Sequence, residues 1–230
     1  MLDYMGIINL SEREDNIREL TYHRPIASIP IAGRYRVIDF ALSNLINVGV
    51  QNVGIFTQNK YRSLLDHLGT GKAWDLDRKN DGMFIMTPVF NYYNLGIFKG
   101  DIENFKNNID YIHLSRQNNV IVTPSYMICN LDYSEAIKQH KETEADITVI
   151  YKRADNCNED FFQCSTYSFD SSGRVIEVDI NEGDKQENNI SMQMFIMKKS
   201  LFLDIVHTCV SHGDCDYFKD AVHKNIGRLK

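Results

Sequence analysis

Short apolar runs that alternate with amphipathic stretches constrain the fold of this chain more than any other feature of its sequence. The runs Met5–Leu10, Gln51–Phe56 and Asn119–Thr123 are mostly apolar, which is typical of strands buried on both faces of a sheet. The stretch that opens at Asp39 has apolar residues at helical spacing and ends at Gly49. Strand–helix–strand alternation predicts right-handed βαβ units. The sequence therefore predicts a three-layer, Rossmann-like α/β fold with a mostly parallel sheet, as one domain over residues 1–230.

Further predicted elements extend this pattern to the C-terminal part of the chain. A proline makes Ser28–Gly33 a weak edge strand at best, and the polar run Asn181–Asn189 predicts a mobile loop. Asp132, with Glu135 three residues later, is a capping-box pattern that predicts the start of a helix. The other expected elements are helices over Tyr61–Leu68, Tyr133–Lys141 and Lys199–Thr208, a helical stretch from Asp101, strands over Met83–Met86, Asp146–Lys152 and Met192–Met197, and a hairpin of Phe162–Phe169 with Arg174–Ile180.

The charge balance excludes several classes of protein. The chain has 25 Lys and Arg against 31 Asp and Glu, a net charge of −6, and no basic run, so a general nucleic-acid binder is not expected. No window approaches 18 apolar residues, and the N-terminus lacks the pattern of a secretory signal. The five cysteines are scattered and never spaced C-x-x-C, which is typical of cytosolic thiols. We expect a cytoplasmic protein that binds neither nucleic acid nor membrane.

Ligands of open parallel sheets bind at the carboxyl ends of the strands, so the segments after the predicted strands are the candidate sites. After the first strand stands Ser11-Glu12-Arg13-Glu14-Asp15-Asn16, which has no glycine to let backbone N–H groups approach a polyphosphate. Each of its three carboxylates would repel a phosphate by about 1–4 kcal/mol at contact distance. After Asn119–Thr123, where Mg²⁺ would need a carboxylate, the chain has Pro124-Ser125-Tyr126-Met127. Asp214, Asp216 and Asp220 could form part of a metal site, since Asp216 and Asp220 would be one turn apart if the segment is helical. Acids are also common at helix starts.

Three segments carry a specific resemblance. They are Pro25–Gly49 (PIASIPIAGRYRVIDFALSNLINVG), Phe56-Thr57-Gln58, and Gly69–Arg78 (GTGKAWDLDR). They resemble the N-terminal domain of ADP-glucose pyrophosphorylase, also called glucose-1-phosphate adenylyltransferase, which joins ATP and glucose-1-phosphate into ADP-glucose for bacterial glycogen. The order of similar segments continues along essentially the whole chain. One of them is Phe98-Lys99-Gly100, which is similar to the family's Tyr-Lys-Gly-Thr.

The departures from the family pattern fall on its charged functions. The glycine-rich nucleotide loop of the family falls on Ser11–Ile17, and its catalytic, metal-holding Asp falls on Tyr126. The family's lysine that binds the sugar phosphate corresponds to Asn181 here, and a Lys-Pro of its activator region corresponds to Ile26-Ala27. The resemblance is therefore to the family's core rather than to its catalytic machinery.

This combination resembles the D-type regulatory subunit of glycogen biosynthesis in Gram-positive bacteria, which pairs with an active C-type subunit. The resemblance implies a catalytically weak or inactive subunit with no assigned catalytic residue, and a possible sugar-phosphate or nucleotide effector. Mg²⁺ and ATP would bind only if activity were retained. The family's C-terminal left-handed β-helix is not expected within these 230 residues. The implied vestigial pocket consists of Gln58 on the adenine side, Lys99, Gly100, Tyr126, and Asp216 as a weak metal ligand.

Two other functions stay open from the sequence. In the first, the chain is an active sugar-phosphate nucleotidyltransferase in which Glu12, Asp15 or Asp132 replaces the lost carboxylate. In the second, it is a non-enzymatic sensor of sugar phosphates or nucleotides. For contact with a partner, the aromatic group Phe90, Tyr92, Tyr93 and Phe98 is one candidate surface, since aromatic residues are favoured in interface cores.

Overall fold

The computed structural model describes residues 2–11, 17–58, 60–88, 100–213 and 215–229. They form an eight-stranded sheet with helices on both faces, and a separate two-stranded hairpin. The strands are β1 (Tyr4–Asn9), β2 (Pro30–Ile31), β3 (Tyr35–Arg36), β4 (Asn52–Phe56), β5 (Gly82–Met86), β6 (Asn119–Pro124), β7 (Ile147–Ala154), β8 (Ser165–Phe169), β9 (Val175–Ile180) and β10 (Asn188–Lys198). The α-helices are α1 (Val37–Asn47), α2 (Arg62–Leu68), α3 (Asp101–Asn107), α4 (Ile109–Leu114), α5 (Tyr133–Thr143), α6 (Lys199–His212) and α7 (Phe218–Lys224).

The sheet has the order β5-β4-β1-β6-β10-β8-β9, and β7 also pairs with β10. The four strands β5, β4, β1 and β6 are parallel to one another, while β10 runs antiparallel to β6, β7 and β8. The α/β class with a mostly parallel central sheet is thereby confirmed. The β8–β9 hairpin is also confirmed, and it ends the sheet on the side away from β5.

Two apolar layers enclose the sheet, which confirms the three-layer arrangement. Successive residues of a strand point to opposite faces, so β1 sends Ile8 into one layer and Ile7 into the other. The first layer is completed by α1 and α5, and the second by α3, α6 and α7. In the second layer Phe105, Phe202 and Phe218 pack with ring centroids 4.7–5.8 Å apart. Both faces of β1, β4 and β6 are therefore buried, as their continuous apolar runs predict.

The segment that carries the strongest resemblance is structural. The Asp39 carboxylate accepts a hydrogen bond from the Arg36 backbone N–H and so caps α1. Its other oxygen lies 2.6 Å from Nε2 of His67, in α2. On the same helix, Asn44 donates to the carbonyl of Cys129 and accepts from the N–H of Leu131. This segment therefore caps α1 and links it to neighbouring parts of the fold.

The expected edge strand over Ser28–Gly33 is wrong for the main sheet. Residues Ile26–Ser28 form a 3₁₀ turn, and Pro30–Ile31 pair only with Tyr35–Arg36 across a turn. Ala32 and Gly33 both have positive φ in that turn, of 49° and 76°. A chain that reverses at these two residues cannot continue along the edge of a sheet. The helix that follows also begins two residues earlier than expected, at Val37.

In the described residues, no helix is both long and apolar enough to cross a membrane. No β-helix follows α7 in the part of the chain that the structure describes.

Candidate functional site

Three of the predicted site residues follow neighbouring strands at the same edge of the sheet. The register pairs Asn9 of β1 with Phe56 of β4 on one side and with Pro124 of β6 on the other. Ser11, Gln58 and Tyr126 each stand two residues beyond this row. Because the three strands are parallel, their carboxyl ends lie side by side. The sheet register therefore gathers these three positions at one edge.

The residue that organises this edge is Asp101, the first residue of α3, which the sequence analysis missed. Its side chain is buried, and Oδ2 accepts a hydrogen bond of 2.6 Å from the side-chain amide of Asn9. Oδ1 accepts a bond of 2.7 Å from the backbone N–H of Phe218, the first residue of α7. The only available signal was that Asp101 stands where the similar family segment has threonine after Lys-Gly. One carboxylate thus joins β1, α3 and α7.

Burial raises the pKa of Asp101 from 3.8 to about 6. Hydrogen bonds from Asn9, Phe218 and Ser11 oppose this increase because they stabilise the charged carboxylate, while the nearby charge of Asp220 adds to it. The cost of removing the carboxylate from water therefore exceeds the benefit of its three donors. A buried acid with a perturbed pKa at the carboxyl edge of a parallel sheet is a typical mark of a functional position.

Gly100 and Asp216 are in direct contact. A Cβ atom placed on Gly100 would lie 1.9 Å from the carbonyl oxygen of Asp216, so no larger residue fits unless one segment moves. The same carbonyl accepts a hydrogen bond of 3.2 Å from the N–H of Ile102. The side chain of Asp216 is exposed, and α7 begins only at Phe218, so Asp216 and Asp220 are not one turn apart on a single helix. The structure brings the predicted residues Gly100 and Asp216 together, while their ligand roles stay predictions.

A small cavity lies beside this cluster. It has a volume of about 20 Å³, room for about one water molecule. Gln193, at the irregular point where the register of β10 shifts, has a positive φ of 53°. The residues that line the cavity are Asn9, Ser11, Asp101, Val122, Thr123, Pro124, Gln193, Phe195, Phe218 and Lys219.

Gln58 carries a buried polar atom that lacks a partner. Its Nε2 has no hydrogen-bond acceptor among the residues that the structure describes. The preceding residue, Thr57, is held by two hydrogen bonds. Its carbonyl accepts a bond of 2.9 Å from the Asn104 side chain, and its own N–H donates to the carbonyl of Met86. A buried amide donor without a partner costs about 1–3 kcal/mol. Such a donor on a fixed backbone is available for a ligand.

Asn181, expected in a mobile loop, is instead fully buried, and the expectation is wrong at this position. Its side-chain amide donates to the backbone carbonyls of Cys157, Asp160 and Phe161, at 2.8–3.1 Å. Its side-chain oxygen accepts from the N–H of Gly183. Residues 182–187 do lie outside strands and helices, as expected, whereas Asn188 and Asn189 belong to β10, so the expectation is also wrong there. The position at which the resemblance places a sugar-phosphate lysine is therefore used to hold the loop before β8.

The described residues supply only part of the magnesium site that the family resemblance implies, since of its two carboxylates only Asp216 is present. Mg²⁺ is usually held by one or two carboxylates together with substrate phosphates. The resemblance places the family's catalytic Asp at Tyr126, and both oxygens of Asp101 already accept hydrogen bonds. Asp132, an alternative carboxylate, accepts a bond from the N–H of Ser134 and caps α5, as its capping pattern predicted. No group of three His, Cys, Asp or Glu side chains suited to a metal occurs in the described ranges.

Several predicted residues lie outside the described part of the chain. They are Glu12, Glu14, Asp15 and Asn16 of the degenerate phosphate loop, Lys99 of the pocket, Asp214, and the aromatic group Phe90, Tyr92, Tyr93 and Phe98. Their roles stay predictions.

Comparison with known proteins agrees with the fold. The family model for nucleotidyl transferases matches residues 15–226. This chain belongs to the nucleotidyl transferase family. A crystal structure from Bacillus anthracis, described as a putative glucose-1-phosphate thymidylyltransferase in complex with sucrose, matches 88% of this chain and 74% of its own. The TM-score is 0.66 at 13% sequence identity, so this likeness shows the fold alone.

Curated relatives within the family fall into two named groups. The glycogen biosynthesis protein GlgD of Bacillus subtilis is 38% identical over 148 residues, which are 64% of this chain and 43% of that protein. GlgD of Geobacillus stearothermophilus is 32% identical over 91% of this chain and 51% of its own length. The glucose-1-phosphate adenylyltransferase of Thermomicrobium roseum is 29% identical over 96% of this chain and 51% of its own. The chain thus spans about half the length of the curated relatives it matches.

Proposed function

We propose that this chain is a regulatory subunit of glycogen biosynthesis, catalytically weak or inactive by itself. It would modulate an active glucose-1-phosphate adenylyltransferase subunit in the cytoplasm, through one nucleotidyltransferase-like domain over residues 1–230. The names of the GlgD relatives support the glycogen context, and the adenylyltransferase relative supports the kind of partner. The regulatory role rests on the candidate site.

The observation that carries the proposal is the environment of Asn181. The lysine that the resemblance places at this position would have to be free to present its positive charge to the sugar phosphate. Asn181 is neutral and buried, and its amide is already bonded to three backbone carbonyls. A second loss is at Tyr126, where the resemblance places a carboxylate that would hold a metal ion, and the metal ion would neutralise charge on the transferred nucleotidyl group. Two charged contacts that the resemblance implies, one for each substrate, are therefore missing, which supports a weak or inactive subunit.

The test is a pair of assays for ADP-glucose. The purified chain, supplied with ATP, glucose-1-phosphate and Mg²⁺, is expected to form no product. Added to the active subunit from the same organism, it is expected to change the rate or the response to an activator. Robust turnover by this chain alone, abolished by Asp216→Asn, would show an active enzyme. No change in the partner's kinetics would contradict the regulatory role.

A nucleotide sensor is the second candidate, and the buried Nε2 of Gln58 favours it because that donor has no acceptor among the described residues. A nucleotide that binds at 100 times its Kd stabilises the folded state by about 2.7 kcal/mol. Thermal unfolding with ATP, with ADP and with glucose-1-phosphate measures this shift. Stabilisation by the two nucleotides that is lost in Gln58→Ala, together with no effect on the active subunit, would favour the sensor.

A further inference from the structure

The end of the sheet formed by β8 and β9 carries an exposed apolar patch, which we call the β9 patch. It consists of Phe161, Phe162, Ile176 and Ile180, and each side chain is 40–60% exposed. The two isoleucines lie on β9, the last strand of the sheet. The two phenylalanines lie in the loop that Asn181 holds, and the Phe162 ring packs so closely on Gly183 that a Cβ there would be 2.5 Å away. The patch is thus on an ordered surface.

The chain around the β9 patch is the main source of the protein's negative charge. Residues 155–187 contain nine carboxylates and two basic side chains, a net charge of −7, whereas the whole chain has −6. The rest of the protein is therefore close to neutral, and the acids are concentrated around this surface. Those that are exposed and near patch residues along the chain are Glu159, Asp160, Glu177, Asp179, Glu182 and Asp184.

The β9 patch lies in an acidic region of the chain, where Glu177, Asp179 and Asp220 outnumber Lys224 beside the two isoleucines, and this charge defines what can bind there. Nucleic acid and anionic membranes would be repelled by this charge. A second copy of the chain would bring the same net charge of −7 against its own, and like-charge contacts oppose association. Strand addition is also hindered at one end of β9, because the N–H of Ile180 already donates to the carboxylate of Asp179. The complementary surface is that of a different protein, with an apolar centre and a rim of lysine and arginine.

We propose that the β9 patch is the surface through which this chain docks onto such a basic-rimmed apolar surface of the active adenylyltransferase subunit. The inference rests on the proposed function, because that function supplies the partner. Side chains of Ile176 and Ile180 would supply the apolar contact, and the carboxylates around them would steer and orient the encounter. The interface would leave the ends of β1, β4 and β6 uncovered, since β10 and β8 lie between these strands and β9.

Binding of the whole chain to the active subunit from the same organism tests this surface. The apolar variant is Ile176→Thr with Ile180→Thr, which keeps β-branched residues in β9. The charge variant is Glu177→Gln with Asp179→Asn, in which the new side-chain amide keeps an oxygen to accept from the N–H of Ile180. The control is Asp110→Asn with Leu114→Thr on α4, where Leu114 is 84% exposed. α4 packs against β5 at the opposite end of the sheet, with the rings of Tyr111 and Phe84 5.1 Å apart.

We expect the apolar variant to raise the Kd at least tenfold, with an unchanged unfolding midpoint, and the control to leave the Kd unchanged. The charge variant should flatten the dependence of Kd on salt concentration, since exposed charges are screened by salt. If the unsubstituted chain binds but the apolar and control variants bind equally well, the β9 patch is not the docking surface and the regulatory proposal stands. If the unsubstituted chain does not bind, both proposals are overturned.

Discussion

The side-chain amide of Asn9 donates a hydrogen bond of 2.6 Å to the carboxylate of Asp101, although the two residues are 92 positions apart in the sequence. The same carboxylate accepts from the N–H of Phe218, which begins α7. The bond network thus fixes the segment that contains Asp216 against the end of β1. Gly100, the residue before Asp101, allows that approach because it has no side chain.

Replacement of Gly100 by alanine should destabilise the protein. The new Cβ would lie 1.9 Å from the Asp216 carbonyl oxygen, a backbone atom that moves only with its segment. Overpacking of this kind costs about 1–3 kcal/mol. Urea unfolding of Gly100→Ala measures the loss. Gly227→Ala is the matched control, because nothing lies within 4 Å of its Cβ position, and we expect it to change stability by about 1 kcal/mol at most. Equal effects of the two substitutions would contradict the close contact.

The parts of this site that follow from the sheet could be predicted from the sequence, and the parts made by distant contacts could not. Apolar runs predict β1, β4 and β6, and their parallel register then places Ser11, Gln58 and Tyr126 at one edge. The sequence that follows Asp101 shows only a helical period. The partners of Asp101, Asn9 and Phe218, are 92 and 117 residues away, so no local pattern relates them to it. Local pattern carries no information about such contacts.

Asn181 illustrates a different limit. The run in which it lies is the most polar stretch of the chain, and polar composition predicts a loop. Composition does not distinguish a polar side chain in water from one whose donors are satisfied by buried carbonyls, as those of Asn181 are. The loop prediction holds for residues 182–187, which lie outside strands and helices and are mostly exposed.

Removal of the Asn181 amide should loosen the loop before β8. Asn181→Ala leaves three backbone carbonyls without that donor, and we expect a loss of about 1–3 kcal/mol in the free energy of unfolding. Asn181→Lys, which restores the family's residue type, should be at least as destabilising, because the position is buried. Limited proteolysis within residues 155–164 measures the local effect. Asn158→Ala, at an exposed position of the same loop, is the control and should behave like the unsubstituted protein.

The contact between Asp39 and His67 should couple α1 to α2. Their side chains are 2.6 Å apart and mostly shielded from solvent. A double-mutant cycle with Asp39→Ala and His67→Ala should give a coupling energy of about 1–2 kcal/mol in unfolding experiments. The exposed pair Lys138 and Glu142, 3.8 Å apart on α5, is the comparison and should give about 0.3–0.5 kcal/mol. Strictly additive effects at Asp39 and His67 would show that the contact contributes nothing to stability.

Two buried groups should give the protein opposing responses to pH over the same range. Burial raises the pKa of Asp101 from 3.8 to about 6, so the folded protein binds more protons than the unfolded chain between these values. The contribution of Asp101 to stability is therefore full below pH 3.8 and is lost as the pH rises through 6. A shift of this size corresponds to about 3 kcal/mol.

His223 responds in the other direction. Burial lowers its pKa from 6.5 to about 4; the charge of Asp220 opposes this decrease and that of Lys219 adds to it. The folded protein then binds fewer protons than the unfolded chain, so the contribution of His223 is full above pH 6.5 and is lost as the pH falls through 4. The two contributions are similar in size and offset each other between pH 4 and 6.5.

Single substitutions should reveal these two opposing dependences of stability on pH. Asp101→Asn removes the acid, so its stability relative to the unsubstituted protein should increase as the pH rises from about 4 to 6. His223→Gln removes the histidine, which donates to or accepts from the Tyr167 hydroxyl at 3.2 Å, and its relative stability should decrease over the same range. Urea unfolding at half-unit pH intervals measures both, with a total change of about 3 kcal/mol expected in each case. Profiles that stay parallel to that of the unsubstituted protein would mean that neither group titrates differently in the folded state.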